Sequence, residues 1–215
     1  MADPHFEEIR DACAHLHARG LLAAADGNVS LRLPDDTILL TPAGVNKARL
    51  PPGSLARVAL DGRILGGRPS TERAMHLAVY RVCREARIVI HAHPPIAIAW
   101  TLARPHLTEL PTDSLPELLL AAGRVPIVPY ARPGTDEMGA VLLPFLPAHR
   151  LLLLSRHGAL AWGESIEEAV NGIERVEHSA IILKAAEELG GTTPVPPLEL
   201  EELRALRARI GPRLL

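Results

Sequence analysis

Two short segments of this chain are too apolar to lie on a surface. Arg87 to His93 is apolar up to its histidines and is closed by Pro94-Pro95, while Arg150 to Ser155 carries four consecutive leucines and runs into His157-Gly158. A strand that is apolar on both faces must be covered on both, so each segment predicts a buried strand in a sheet with helices above and below it. Proline cannot donate to a sheet ladder, and the Pro94-Pro95 pair marks where the first strand stops.

The remaining sequence supplies those helices. Phe6, Ile9, Ala12, Cys13 and Leu16 recur at helical spacing between Pro4 and Arg19, and Met75, Val79, Val82 and Ala86 do so between Ser70 and Ala86. Pro116 to Ala122 and Thr135 to Leu143 read as shorter helices, Val125 to Val128 as a strand, and Leu198 to Arg209 as a charged final helix. Ser165 with Glu168 forms a capping box that opens a long helix running to Gly190-Gly191. Val29, Leu31 and Leu33 alternate before the turn Pro34-Asp35-Asp36 and the β-prone Thr37 to Leu40, which predicts a hairpin. Asp61-Gly62 predicts a second hairpin between Val58-Ala59-Leu60 and Ile64-Leu65. Helices alternating with strands, together with these hairpins, predict an α/β fold with a mixed sheet covered on both faces.

A chain of 215 residues, 47% of them hydrophobic, closes one substantial core, so residues 1–215 are expected to form a single domain. The net charge of −2 and the scattered arginines leave no basic stripe for nucleic acid or an anionic membrane, and the expected partner is a small molecule. The acidic N-terminus and the lack of a long apolar run predict a soluble, cytoplasmic protein without a membrane span. Cys13 and Cys83 lack any paired spacing and are expected to be buried thiols.

His91 and His93 lie two apart on a predicted strand, so their rings point to the same face with Cα atoms roughly 6.6 Å apart. Such a pair can reach one metal ion, or can be hydrogen-bonded at a strand end; both readings stand on residue types alone. His157 arrives at the end of the second apolar strand, beside a glycine that permits close backbone approach. Glu72, near the start of the helix that feeds the first strand, can supply an oxygen ligand to complete a tetrahedral site, or can be a carboxylate favoured by the helix dipole. His5, His15, His17, His76, His106, His149 and His178 form no strand-end pair and are assigned to surface or packing roles.

Gly27-Asn28, Thr41-Pro42-Ala43-Gly44 and Ser70-Thr71 are turn-like and rich in hydroxyls, amides and glycine. Backbone N–H groups at glycine turns and at a helix start can form an anion pocket, although each segment alone reads equally as a turn, a loop or an N-cap.

Taken in order, Gly27-Asn28-Val29-Ser30, Thr41-Pro42-Ala43-Gly44, Arg68-Pro69-Ser70-Thr71-Glu72, His91-Ala92-His93-Pro94-Pro95 and His157-Gly158 resemble the class II aldolase/adducin family from about residue 5 to 190, including the helix segment from Glu167-Glu168-Ala169 to Glu177. The resemblance implies an α/β/α three-layer sandwich around a mixed, largely antiparallel sheet. It implies Zn²⁺ on Glu72, His91, His93 and His157, phosphate on Gly27, Asn28, Gly44, Ser70 and Thr71, and a homotetramer with active sites between subunits. Two positions depart from the pattern. Ala43 stands where a phosphate-binding threonine is common, and Glu117 stands where the aldolases present a catalytic tyrosine. Glu117 instead resembles the acid/base glutamate of methylthioribulose-1-phosphate dehydratases.

The activity this implies is zinc-dependent cleavage of a ketose 1-phosphate of the fuculose 1-phosphate kind to dihydroxyacetone phosphate and a short aldehyde, with Glu72 moving a proton and Glu117 as a second proton carrier. The alternatives are a sugar-phosphate dehydratase using Glu117, a pentulose-5-phosphate 4-epimerase, and a metal-free scaffold domain of the adducin kind. A Schiff-base aldolase would need Lys47 or Lys184 as its nucleophile.

Overall fold

The computed structural model describes residues 4–215; Met1, Ala2 and Asp3, on which the reading of the N-terminus partly rests, lie outside them. The helices are α1 (Pro4–Ala18), α2 (Arg73–Val82), α3 (Pro95–Ala103), α4 (Pro116–Ala122), α5 (Glu137–Ala140), α6 (Ile166–Glu188) and α7 (Pro197–Ile210). The strands are β1 (Asn28–Arg32), β2 (Thr37–Leu40), β3 (Ala56–Ala59), β4 (Ile64–Gly66), β5 (Ile88–Ala92), β6 (Ile127–Val128), β7 (Leu151–Leu154) and β8 (Gly158–Gly163). They form one sheet in the order β4-β3-β2-β1-β5-β8-β7-β6, antiparallel throughout except where β6 meets β7. The mixed, largely antiparallel sheet and the three layers are as the sequence predicts.

Side-chain alternation along the central strands builds a separate core on each face. Ile88, Ile90 and Ala92 of β5 pack with Phe6 and Leu16 of α1, Trp100 of α3 and Ile173 of α6. Val89 packs on the other side with Met75, Val79 and Tyr80 of α2 and Met138 of α5. His91 is two positions on from Val89 and therefore lies on that second face, beneath the start of α2.

Four elements differ from the sequence reading, each for a local reason. The helix expected from Ser70 begins only at Arg73, because Ser70 Oγ accepts from Glu72 N at 3.2 Å and turns the chain there. It ends at Val82, which is 39% exposed instead of facing the core, and Ala86 is buried beyond it. The helix expected over 135–143 shrinks to Glu137–Ala140. Helix α3 and strand β8 were not expected. Pro94-Pro95 marks the end of β5, yet proline at the first helical position costs no hydrogen bond and α3 starts on Pro95. Gly158–Gly163 is buried along its whole length and shows no polar alternation to mark it as a strand.

Ser165 caps α6 as expected, accepting from Glu168 N at 3.2 Å, but the capping box is half-made. The Glu168 carboxylate turns away to accept from Glu164 N at 2.8 Å, Leu214 N at 3.0 Å and Arg150 Nη1 at 2.8 Å. Arg150 is 4% exposed and stacks on Trp162, and its charge is met by this carboxylate and by Glu164, whose Oε1 accepts from Nη2 at 3.0 Å. Replacing Glu168 with alanine leaves the buried guanidinium with Glu164 as its one carboxylate partner and strands two backbone donors, and unfolding in urea should report a loss of about 2–4 kcal/mol. A loss below about 1 kcal/mol would show that the network is not a structural tie.

Candidate active site

The sheet register brings the predicted ligands to one end of the central strands. Asn28 of β1 sits opposite His91 of β5, and Ala159 of β8 sits opposite Ala92, so the β7–β8 turn that carries His157 folds over the end of β5. The rings of His91, His93 and His157 lie 4.7 to 5.3 Å apart between centroids, and their candidate ligand nitrogens fall within 4.8 Å of one another. Glu72, at the N-cap of α2, reaches into this cluster without capping its own helix. Its two carboxylate oxygens stand 3.4 Å from His91 Nε2 and 3.1 Å from His157 Nε2.

The tautomer of His91 follows from its surroundings. Its Nδ1 lies 3.0 Å from the carbonyl of Ala159, which can only accept, so Nδ1 carries the proton and Nε2 presents a lone pair. That lone pair faces His93 Nε2 at 2.9 Å as well as the Glu72 carboxylate. Burial pushes the His91 imidazole down to about 3 and lowers that of His93, which keeps both rings neutral at ordinary pH. Burial alone would raise Glu72, but the contacts with His157, His91 and Asn28 outweigh it and hold the carboxyl down at about 2. These nitrogens and the carboxylate are linked through imidazole N–H groups, and a divalent cation can take the place of those protons. Three imidazoles and one carboxylate suit zinc and other divalent transition ions alike.

Two glycines make the convergence possible. A Cβ on Gly158 would come within 2.5 Å of Ala92 O, 2.7 Å of His91 Cε1 and 3.0 Å of His93 Cδ2. Gly27 adopts a left-handed φ of +71°, and a Cβ there would press on Leu22 and on His91 O at 2.9 Å.

The expected anion-binding segments meet beside this cluster. Pro42 and Pro69 form an isolated bridge, Ser70 N donates to Thr41 O at 3.2 Å and Ala43 N to Arg68 O at 3.1 Å, so the two loops run together. Asn28 Nδ2 donates to Ser70 Oγ at 3.1 Å and to Glu72 Oε2 at 2.8 Å, tying those loops to the cluster. The backbone N–H groups of Gly44 and Thr71 meet no acceptor among the described residues, and both residues border this loop pair. Glu117 is exposed on the first turn of α4, and the group gathered around His91 does not include it.

The site also holds a residue that the sequence reading assigned to packing. His76 is fully buried, and its Nε2 bonds the side-chain oxygen of Asn28. The signal was its position four residues after Glu72, which places both on one side of a helix start. Lys47 is buried as well, and burial lowers its pKa, but its Nζ donates to Ala25 O at 2.8 Å and Val45 O at 2.7 Å and so holds two loop segments together. Lys184 pairs with Glu188 in the open.

Residues 7–183 match the family model described as Class II Aldolase and Adducin N-terminal domain. The chain is 33% identical over 208 residues to 3-oxo-tetronate 4-phosphate decarboxylase of Escherichia coli K12, covering 94% of each. It is 31% identical over 194 residues to methylthioribulose-1-phosphate dehydratase of Methylococcus capsulatus, covering 83% of this chain and 94% of that one. Among solved structures, YgbL of Escherichia coli, assigned broadly as an aldolase, epimerase or decarboxylase, superposes with a TM-score of 0.86 at 32% identity, covering 92% of this chain and 96% of its own. The L-fuculose-1-phosphate aldolase of Thermus thermophilus superposes with a TM-score of 0.77 at 34% identity, covering 88% and 97%.

Substitution of Gly158 with alanine should drive the rings of His91 and His93 apart while leaving both residues in place. Competition against a chromophoric chelator is expected to show Zn²⁺ affinity falling by at least roughly tenfold. Unchanged affinity would mean that these rings are not the ligands.

Proposed function

The chain belongs to the class II aldolase and adducin family, and from that premise we propose that it is a divalent-metal enzyme that breaks a carbon–carbon bond beside the ketone of a small sugar-acid phosphate, releasing carbon dioxide. The observation that carries this reading is the convergence of three imidazoles and the Glu72 carboxylate next to a loop pair with open N–H donors. A divalent cation, zinc or a similar ion, supplies a Lewis acid there for the substrate's ketone and neighbouring hydroxyl oxygens.

The relatives are enzymes that their names associate with decarboxylation, dehydration and aldol cleavage of phosphorylated sugars or sugar acids. Aldol cleavage of a ketose 1-phosphate and decarboxylation of a 3-oxo-tetronate 4-phosphate share a feature in their chemistry. Each leaves an electron pair on the carbon next to the ketone, and each ends in dihydroxyacetone phosphate once that carbon is protonated. They differ in the fragment that departs. An aldehyde can leave only if its hydroxyl gives up a proton, whereas carbon dioxide leaves without one. Of the two tyrosines, Tyr80 is buried against Ser30 and Tyr130 is 56% exposed, and the position where the aldolases present their tyrosine holds Glu117. Decarboxylation therefore suits these residues better than the aldol cleavage expected from the sequence.

In this reading Gly27, Asn28, Gly44, Ser70 and Thr71 bind and orient the phosphate, with backbone N–H groups serving where Ala43 offers no hydroxyl. Glu72, ionised in the free site, takes the hydroxyl proton of the bound substrate and returns it to the carbon from which carbon dioxide has left. Water restores the hydroxyl proton as product departs. The assembly in this reading is a homotetramer in which a neighbouring copy closes the pocket and brings its Glu117 to the reacting groups.

The purified protein is expected to convert 3-oxo-tetronate 4-phosphate to carbon dioxide and dihydroxyacetone phosphate, and Glu72→Gln to lower kcat by roughly 10²–10⁴. Preferred cleavage of fuculose 1-phosphate would instead make it an aldolase, and loss of water from methylthioribulose 1-phosphate a dehydratase. Absence of all three activities in the zinc-loaded protein would favour a scaffold.

A further inference from the structure

Behind Glu72 lies a chain of buried polar groups of which the proposed chemistry uses only Asn28. Asn28, Ser30, His76 and Tyr80 are all 2% exposed or less. Tyr80 OH stands 2.9 Å from Ser30 Oγ, Ser30 Oγ 2.6 Å from His76 Nδ1, His76 Nε2 bonds Asn28 Oδ1, and Asn28 Nδ2 stands 2.8 Å from Glu72 Oε2. Polar groups this deep are retained only when each is satisfied, so the direction of every bond in the chain matters.

The direction is set at its charged end. An ionised carboxylate can only accept, so Asn28 must turn its NH₂ toward Glu72 and Ser70, which leaves its oxygen facing His76. His76 must then carry its proton on Nε2 and accept at Nδ1 from the hydroxyl of Ser30. Tyr80 in turn donates to the oxygens of Ser30, whose carbonyl also lies 2.9 Å away. Were the amide of Asn28 reversed, its oxygen would face the carboxylate at 2.8 Å and its NH₂ would oppose the N–H of His76. Burial keeps His76 neutral, with its pKa pushed down to about 4, so both of its nitrogens keep these roles at ordinary pH.

We propose that His76 is a positioning residue: by donating from Nε2 to Asn28 it locks the asparagine amide in the one orientation that presents N–H groups to both Glu72 and Ser70, coupling the proton-carrying carboxylate to the phosphate loop. The consequence for Glu72 rests on the function proposed above; the locking of Asn28 does not.

The test therefore reads the lock first, without metal or substrate. In the ¹⁵N-labelled full-length, zinc-free protein, hydrogen exchange of the Asn28 side-chain NH₂ is expected to be slow in the wild type and in His76→Gln, whose amide can donate in place of Nε2. In His76→Leu, similar in bulk and without a donor, exchange should quicken at least roughly tenfold. Ser30→Ala, which removes the hydroxyl that donates to His76 Nδ1 and holds the ring, should give an intermediate rate and serves in place of His76→Leu if that variant fails to fold. Unchanged exchange in these variants, or equal loss in His76→Gln, would overturn the proposal. Zn²⁺ affinity supplies a second reading. His76→Leu should weaken it by roughly tenfold in the wild-type background and not at all in an Asn28→Ala background. Equal losses in both backgrounds would show that His76 acts by some route other than Asn28. A wild-type protein that holds no zinc would refute the metal reading of the site while the exchange rates still decide the role of His76.

Discussion

Everything at the functional end of this protein depends on holding one carboxylate and three imidazoles against one another. Glu72 stands within 3.4 Å of nitrogens on both His91 and His157, and His91 Nε2 faces His93 Nε2 at 2.9 Å. On a flexible loop, the entropy cost of ordering four side chains and of burying a carboxylate would part these groups. Here each comes from a different rigid element: His91 from the central strand, His93 from just beyond it, His157 from the β7–β8 turn and Glu72 from the start of α2. The sheet register and the two helical layers fix their separation.

The two faces of the sheet divide the work. One is an almost wholly apolar core under α1, α3 and α6, and its burial of large side chains is the main source of folding free energy. The other mixes an apolar cluster around Met75, Val79 and Trp162 with the buried polar chain that ends on Glu72. That arrangement puts the costly polar groups where they orient the site. Gly27 and Gly158 contribute by having no side chain, since a Cβ at either would collide with the backbone or rings around His91.

The sequence displayed the fold where periodicity was strong and concealed it where local chemistry competed. The amphipathic α1, the two hairpins and the apolar β5 and β7 were legible from spacing alone. Strand β8 was not, because a segment buried on both faces and bounded by glycines carries no alternation. Helix α3 was hidden behind prolines that mark the end of one element and the start of the next. At the site, three histidines and Glu72 were legible because strand ends and a helix start focused them, and the structure brings all four together. His76 was not, since a histidine inside an apolar helix face looks the same whether it fills a core or orients a neighbour. Glu117 is exposed on the first turn of α4 and is not among the residues gathered around His91.

Decarboxylation, aldol cleavage and dehydration differ in what leaves the substrate, and relatives named for all three resemble this chain. What the account requires of every one of them is the same cation on the same imidazoles. X-ray absorption at the zinc edge, on protein purified without chelator, tests that requirement most directly. The account predicts one zinc ion per chain, with nitrogen and oxygen as its only nearest neighbours and the outer scattering of three imidazoles. Sulfur among the nearest neighbours, fewer than three imidazoles, or no stoichiometric metal would contradict it.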